Sequence, residues 1–358
     1  MHFSILKNKR VFLTGHTGFK GSWLALWLQR LGANVYGYSL PPPTAPSNYT
    51  LSNVRDALCG ETLGDIRDRQ AVREAVAALQ PDAVFHLAAQ PLVRDSYTEP
   101  FDTFDVNVMG TASVLDAVRA LGRSCAVVCV TTDKCYENRE QVWGYRECDP
   151  MGGYDPYSAS KGAAEILIAS YRRSFFHPDR LAAHGVQLAS ARAGNVIGGG
   201  DWARDRIVTD MVAALEAGRP VPVRNPHAVR PWQHVLEPLS GYLTLAGAML
   251  EKPEARWASG WNFGPVSGTE WPVGRLADAF IREWGPGRWE DKSDPAQPHE
   301  ASILRLSIEK AGWELGWRPR WTCEEMVART ARWYRRVLRE GADAHAECLS
   351  DIEAYGDF

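Results

Sequence analysis

A tyrosine and a lysine four positions apart, in Tyr157-Ser-Ala-Ser-Lys161, put a phenol and an ammonium on one face of one helix. The ammonium is expected to lower the phenol pKa and bring a phenolate within reach of neutral pH. Beside a nicotinamide, that pair suits oxidation of a carbinol: one group takes the hydroxyl proton while the cofactor takes the hydride. Tyr-x-x-x-Lys is common on helix surfaces, so its neighbours decide its meaning. Thr131-Thr132-Asp133-Lys134 follows an apolar strand, and its side chains should emerge at the carboxyl edge of a sheet, where ligands bind in α/β folds. Alone it reads equally well as a helix cap. Set beside Tyr157 and Lys161, it supplies a hydroxyl, an acid and an amine over one cofactor.

The cofactor has its own signal. Gly15-x-x-Gly18-x-x-Gly21 lies between a strand and a helix, where glycines admit a pyrophosphate to the backbone and the helix start offers N–H donors. Thr17, Phe19 and Lys20 fill the loop, and Lys20 suits a phosphate. The acid expected after the second strand is missing, since the chain there reads Tyr38-Ser39, so NAD and NADP both remain open. Asp65 and Ile66 are candidates for the adenine edge, with Asp65 alternatively a helix cap. Asn107 is placed to hold a proton-relay water, or is an ordinary exposed asparagine. Farther on, Arg192, Asn195, Arg206, Arg224 and Arg230 are candidates for a diphosphate, which forked guanidinium donors bind through two oxygens. His299-Glu300 suits a ribose. No metal motif, P-loop or GxSxG is present.

The elements that must position these groups are read from periodicity. Strands are expected at Val11–Thr14, Val35–Tyr38, Ala83–Ala89, Ala126–Thr132 and Gln187–Ala191, with another short one before Asp65. Helices are expected from Ser22, over Arg69–Leu79, over Phe101–Leu121 and over Ser158–Phe176. Apolar strands alternating with helices predict an α/β, Rossmann-type doubly wound parallel sheet covered on both faces. After about residue 195 the texture loosens into Pro, Gly, Trp and Arg. The division expected is a dinucleotide-binding domain over 1–195, to which a helix near 236–251 returns, and a smaller mixed α/β substrate-binding domain over 196–340.

A chain of 358 residues can bury a large core, and 40 basic against 43 acidic residues gives no basic or acidic face for nucleic acid or membrane. Seven scattered cysteines form no disulfide framework or CxxC pair; Cys125 and Cys129 share one face of a strand, pointing to a reducing compartment. Without a signal-like segment or a long apolar run, a soluble cytoplasmic protein is expected. Most of the 14 tryptophans should be core.

These residues together resemble the extended short-chain dehydrogenase/reductase family and, within it, the CDP-D-glucose 4,6-dehydratases, over about residues 7–338. The glycine loop and the Tyr/Lys pair mark only the superfamily. More selective are Thr131-Thr-Asp-Lys-Cys-Tyr-Glu-Asn138 and Arg192-Ala-Gly-Asn-Val-Ile-Gly-Gly-Gly-Asp-Trp202, joined by His86-Leu-Ala-Ala-Gln90 and Arg230-Pro-Trp-Gln-His-Val235. The resemblance implies NAD as cofactor, with Ala88, Ala89, Gln90 and Thr131 also against it and Gln90 shared with the nucleotide sugar. It implies that Tyr157 takes the proton of the sugar 4-hydroxyl with Thr132 bonded to that oxygen, and that Lys161 holds the nicotinamide ribose. Asp133 would protonate the departing 6-hydroxyl and Lys134 would take the C5 proton, giving CDP-4-keto-6-deoxy-D-glucose on the way to deoxysugars of O-antigen or lipopolysaccharide. The dTDP-glucose enzymes carry glutamate where this chain has Lys134. A lysine base must work neutral, so Glu137 or a water stays open as the alternative. The resemblance also implies a homodimer through the helices at 101–121 and 158–176, or a larger assembly such as a tetramer. A 4-epimerase needs no Asp133–Lys134 couple; a UDP-N-acetylhexosamine 4,6-dehydratase would share it. A non-catalytic redox sensor on the same fold typically lacks the tyrosine or the lysine.

Overall fold

The structure is a computed structural model and describes residues 3–293 and 303–356; His299 and Glu300 lie outside the described residues. Its centre is a seven-stranded parallel sheet. The strands are β1 (Arg10–Thr14), β2 (Asn34–Ser39), β3 (Gly60–Leu63), β4 (Ala83–His86), β5 (Cys125–Val130), β6 (Val186–Ala193) and β7 (Gly260–Phe263), in the order β7-β6-β5-β4-β1-β2-β3. Strands β1 to β3 run one way across the sheet and β4 to β7 the other. The order therefore reverses between β1 and β4, and the crevice for a ligand opens over their carboxyl ends.

Both faces of the strands are apolar, and the two cores divide them residue by residue. Val11, Leu13, Phe85 and Val128 enter one core, and Phe12, Val84, Val127 and Cys129 enter the other. Under the first lie α1 (Phe19–Arg30) and α5 (Leu236–Glu251), both buried along most of their length. Under the second lie α2 (Arg69–Leu79), α3 (Gly110–Arg119) and α4 (Pro156–Ser174). Six tryptophans, Trp23, Trp27, Trp261, Trp284, Trp317 and Trp333, are almost fully enclosed, as a close-packed core of this size requires.

The segment expected to form a separate substrate-binding part is interleaved with the sheet. Its helix α5 packs on the sheet, and its strand β7 pairs in register with β6, Trp261 opposite Ala191. The helices α6 (Val273–Trp284) and α7 (Cys323–Arg339) pack on each other outside the sheet, and α8 (Ala344–Tyr355) closes over α1.

Of the boundaries that differ from the sequence reading, three have plain physical reasons. Helix α1 begins at Phe19 rather than Ser22, because Gly18, in extended backbone, is the cap and its carbonyl takes the Ser22 amide at 2.9 Å. Strand β4 ends at His86, where the Leu87 amide is shared between the Thr14 carbonyl at 3.2 Å and its hydroxyl at 3.1 Å and the Ala88 amide turns to that hydroxyl at 3.2 Å. The long helix at 101–121 is interrupted by a π turn at Asp105–Met109, the kind of insertion that re-aims a side chain, here Asn107.

Candidate active site

The glycine loop is made by backbone contact. Gly15 has φ +77°, and a Cβ there would come within 2.7 Å of the Ala88 amide nitrogen. A Cβ on Gly21 would collide with the Gly15 carbonyl. The loop is thus a close cradle leading into α1, whose Gly18 cap offers no side-chain acceptor to the first-turn N–H groups. Such a start favours an anion. The loop is clipped to the sheet by its own polar groups. Thr17 shares a hydrogen bond with Ser39 at 2.8 Å and donates to the Leu40 carbonyl at 2.9 Å. His16 is buried, bonds Glu61 at 2.6 Å, and lies against Gly37, where any larger residue would strike the imidazole. The carboxylate missing after β2 thus has a counterpart on β3, but Glu61 is occupied by His16 and Tyr49.

Several expected cofactor residues are engaged by other parts of the chain. Ile66 is buried beneath Gly110, and Asp65 is held by Arg67 through both carboxylate oxygens at 2.7–3.1 Å while accepting the Arg67 amide. Asp65 therefore caps a turn, and Asp68, not Asp65, caps α2. Asn107 is neither exposed nor spare: it accepts the Gln90 amide at 2.9 Å and donates to the Gln90 carbonyl and the Ser160 hydroxyl. The Gln90 side chain turns back onto Leu92 and Thr103. Both amide side chains thus fix backbone instead of reaching outward. Ala89 continues the chain between Ala88 and Gln90.

The chemistry-bearing groups meet at the carboxyl ends of β5 and β6. Asp155 caps α4, accepting the Ser158 amide at 2.9 Å and its hydroxyl at 2.6 Å, with Pro156 in the first turn. That fixes Tyr157 at the mouth of the helix and Lys161 one turn deeper. After β5 the chain is extended at Thr132 and enters a tight turn over Asp133–Cys135. The Thr132 hydroxyl donates to Asp133 Oδ1 at 3.0 Å and lies near enough to Tyr157 to pull its phenol down. Lys134 Nζ lies 3.9 Å from Asp133 Oδ1, and Lys161 Nζ donates to the Val130 carbonyl at 3.4 Å. Asp133 is fully buried, its Oδ2 has no partner, and it faces the Cα of Gly194, where a Cβ would collide with it. A buried acceptor left unpaired is costly, and a ligand donor at Oδ2 would relieve that cost. Glu137 is exposed, with its carboxylate over Gly152.

The expected easing of the phenol is corrected. Burial pushes Tyr157 up to about 12, outweighing the Thr132 hydroxyl and the Arg206 charge that pull it down, while Asp133 pushes the same way as burial. Lys161 is itself brought down to about 8 by burial, against the opposing pull of Cys129, Glu165 and Cys135. Lys20 leans from the glycine loop into the same cleft. Burial and the neighbouring Arg206 lower it to about 7, while Asp133 opposes the shift.

The arginines separate into two kinds. Arg206 is near Lys20 and Tyr157 and pairs with Asp201 at 3.3 Å while keeping 35% of its side chain exposed. The Asn195 amide oxygen has no protein partner. Arg224 bridges Asp205 and Asp210 at 3.2 and 3.6 Å, and Arg230 lies in a short strand paired with Trp271–Pro272, donating to the Val229 carbonyl. Arg192, expected at the diphosphate, is a correction. It is buried, donates to both oxygens of Glu165 at 2.9 and 2.8 Å and to the Tyr136 hydroxyl at 2.6 Å, and so has no fork to offer a substrate.

Glu165 escaped the sequence reading, although its signal was present: residues 157, 161 and 165 recur at one-turn spacing on one face of α4. It accepts Thr131 and Arg192 on Oε1, Ser190 and Arg192 on Oε2, and the guanidinium holds it below the ordinary carboxylate range against burial. Also unforeseen was His86, bonded to Thr14 at 2.8 Å and Thr111 at 3.0 Å; burial lowers it to about 3 and keeps it neutral.

Against known proteins, the family described as GDP-mannose 4,6 dehydratase matches residues 12–330. The chain is 50% identical over 333 residues to a CDP-glucose 4,6-dehydratase of Salmonella typhimurium, covering 93% of this chain and 92% of that protein. Two solved structures share the fold. One is DesIV, a dTDP-glucose 4,6-dehydratase from Streptomyces venezuelae with NAD and TYD bound, at TM-score 0.75 and 23% identity, covering 93% of this chain and 98% of that one. The other is a UDP-glucose-4-epimerase from Stenotrophomonas maltophila with bound NAD and formylated UDP-arabinopyranose, at TM-score 0.78 and 22% identity, covering 93% and 100%.

Proposed function

The chain belongs to the GDP-mannose 4,6-dehydratase family, and from that footing we propose that it is an NAD-dependent lyase converting CDP-D-glucose to CDP-4-keto-6-deoxy-D-glucose. The observation that carries the chemistry is the Thr132–Asp133–Lys134 cluster at one sheet edge, with the Tyr157–Lys161 helix start packed against it through Lys161 and the Val130 carbonyl. The base and sugar of the substrate rest on the 50% identity to the CDP-glucose enzyme.

The cradle of Gly15, Gly18 and Gly21 with Thr17, Phe19 and Lys20 fits a dinucleotide pyrophosphate, because a Cβ at Gly15 or Gly21 would fill it. Asp65, Ile66, Ala88, Ala89, Gln90, Asn107 and Thr131 shape the rest of that groove, several of them through the backbone. NAD, when bound there, supplies a hydride acceptor at the sugar C4 and a donor at C6.

Tyr157 takes the 4-hydroxyl proton, and the Thr132 hydroxyl beside it holds the same oxygen. With its phenol pushed up to about 12 in the protein alone, Tyr157 serves as base only after losing its own proton, and a cationic Lys161 on the same helix face favours that loss. A ketone at C4 acidifies C5–H. Lys134 removes that proton and Asp133, its Oδ2 unpartnered, delivers one to the departing 6-hydroxyl. Arg206, part of its side chain exposed beside Asp201, and Asn195, its amide oxygen unpartnered, are assigned to the diphosphate together with Arg224 and Arg230.

No helix among the described residues is long and apolar enough to cross a membrane. The enzyme works in the cytoplasm as a homodimer, supported by exposed Phe101, Met109 and Ile166 on the two helical stretches expected at the interface. The division of labour is 1–195 with α5 for the cofactor and the remainder of 196–340 for the nucleotide sugar. A panel of CDP-, UDP-, dTDP- and GDP-linked hexoses, with and without added NAD and with products weighed by mass spectrometry, tests the assignment. The expected result is CDP-glucose converted to a product lighter by one water; a product of unchanged mass would make the enzyme an epimerase instead.

A further inference from the structure

We infer that Glu165 is a positioning residue for this reaction, setting the distance between the Thr131–Asp133 strand end and the Tyr157–Lys161 helix. The inference rests on the catalytic reading above and adds a residue that touches neither substrate nor cofactor. Its basis is a direct tie between the two elements. Glu165, on α4, accepts the Thr131 hydroxyl on Oε1 at 2.6 Å; Thr131 runs straight into Thr132 and Asp133; and Tyr157 and Lys161 lie on the same helix as Glu165, with Lys161 Nζ donating to the Val130 carbonyl at 3.4 Å. With that tie in place, the strand end and the helix are held in one register.

The carboxylate is itself immobile. Four donors, Thr131 Oγ1, Ser190 Oγ and the Nε and Nη2 of Arg192, occupy its two oxygens at 2.6–2.9 Å. That is about the full capacity of a carboxylate. Arg192 is in turn held by Tyr136 at 2.6 Å, and Tyr136 donates to Asn262 on β7 at 2.7 Å, so three strands and the helix share one frame. An apolar cluster would fill this volume without the cost of removing two charges from water. The ion pair adds direction, because Oε1 faces the strand carrying the acid and base while Oε2 faces Ser190 in the sheet interior.

The asymmetry supplies the test. Thr131→Val removes only the bond to Oε1 and keeps the side-chain shape; Ser190→Ala removes one bond to Oε2. Both are compared by Tm, retained NAD, and kcat and KM for whichever nucleotide sugar of the panel is turned over. Thr131→Val is expected to lose about tenfold or more in kcat with KM within about twofold, since small displacements of reacting groups are expensive. Thr131→Ser restores the hydroxyl and the rate, and Thr131→Ala repeats the loss. Ser190→Ala is expected to lower Tm comparably while kcat stays within about twofold. Full kcat in Thr131→Val, or equal loss of kcat in both variants, would overturn the positioning role. The wild-type assay reports separately on the substrate, so failure there is distinguishable from failure here.

Discussion

Glu165 and Asp133 are both buried carboxylates with a basic neighbour, and they are built in opposite ways. Glu165 has both oxygens filled and Arg192 at 2.8 Å. Asp133 has one oxygen bonded to Thr132, a lysine at 3.9 Å and a second oxygen with nothing. Burial is nearly the same; satisfaction is not. A saturated buried pair stabilises one geometry, whereas a frustrated one stores a demand that a ligand meets. The contrast separates scaffold from chemistry more sharply than residue type does, and it removes Arg192 from the substrate site.

The comparison can be broken at either carboxylate. The largest effect is expected from Asp133→Asn, which keeps the shape and removes the acid. Dehydration should fall by about 10²–10⁴-fold, the usual contribution of a positioned acid, while Tm hardly moves. Steady-state turnover beside thermal unfolding checks this, and retained turnover would move the acid role elsewhere. Arg192→Met should show the reverse weighting. It leaves Glu165 charged and buried without its partner, at a cost of about 3–5 kcal/mol in unfolding free energy measured in urea. An unchanged midpoint would mean that the pair is not the fastening described. Gly194→Ala is expected to be milder. Its Cβ forces the Asp133 carboxylate aside, so kcat should fall roughly tenfold with little change in Tm. The smallest effect lies in pH. Because Glu165 titrates below its ordinary value in the folded protein, its contribution to stability is full above about pH 4.3 and fades as pH falls through the folded pKa. The stability gap between wild type and Glu165→Gln should therefore be widest above about pH 5 and narrow toward pH 3 in urea titrations. A gap independent of pH would deny the charge any part.

What the sequence made legible follows the same line. Alternating apolar strands and helices gave the sheet, because a doubly covered parallel sheet leaves a pattern in every strand. The glycine loop was legible since its backbone approach admits nothing larger, as Gly15 against Ala88 shows. Tyr157, Lys161, Thr132 and Asp133 were legible as a constellation because a strand end and a helix start carry them within few residues. The arginines were not. Arg192 and Arg206 look alike in a sequence, and only the fold decides that one meets Glu165 and the other the cleft. The phenol was misjudged for a related reason: a helical offset reveals the lysine but not the burial that pushes Tyr157 up to about 12. Asn107 was not legible as buried, since its partners at Gln90 and Ser160 are brought together by packing alone.

The central claim is that one cleft oxidises C4, eliminates across C5 and C6, and returns the same hydrogen to the sugar. It is tested most directly with CDP-D-glucose carrying deuterium at C4, the product examined by mass and proton NMR. The account predicts loss of one water and deuterium in the new C6 methyl group. Deuterium still at C4 of an epimer, with no water lost, would contradict it.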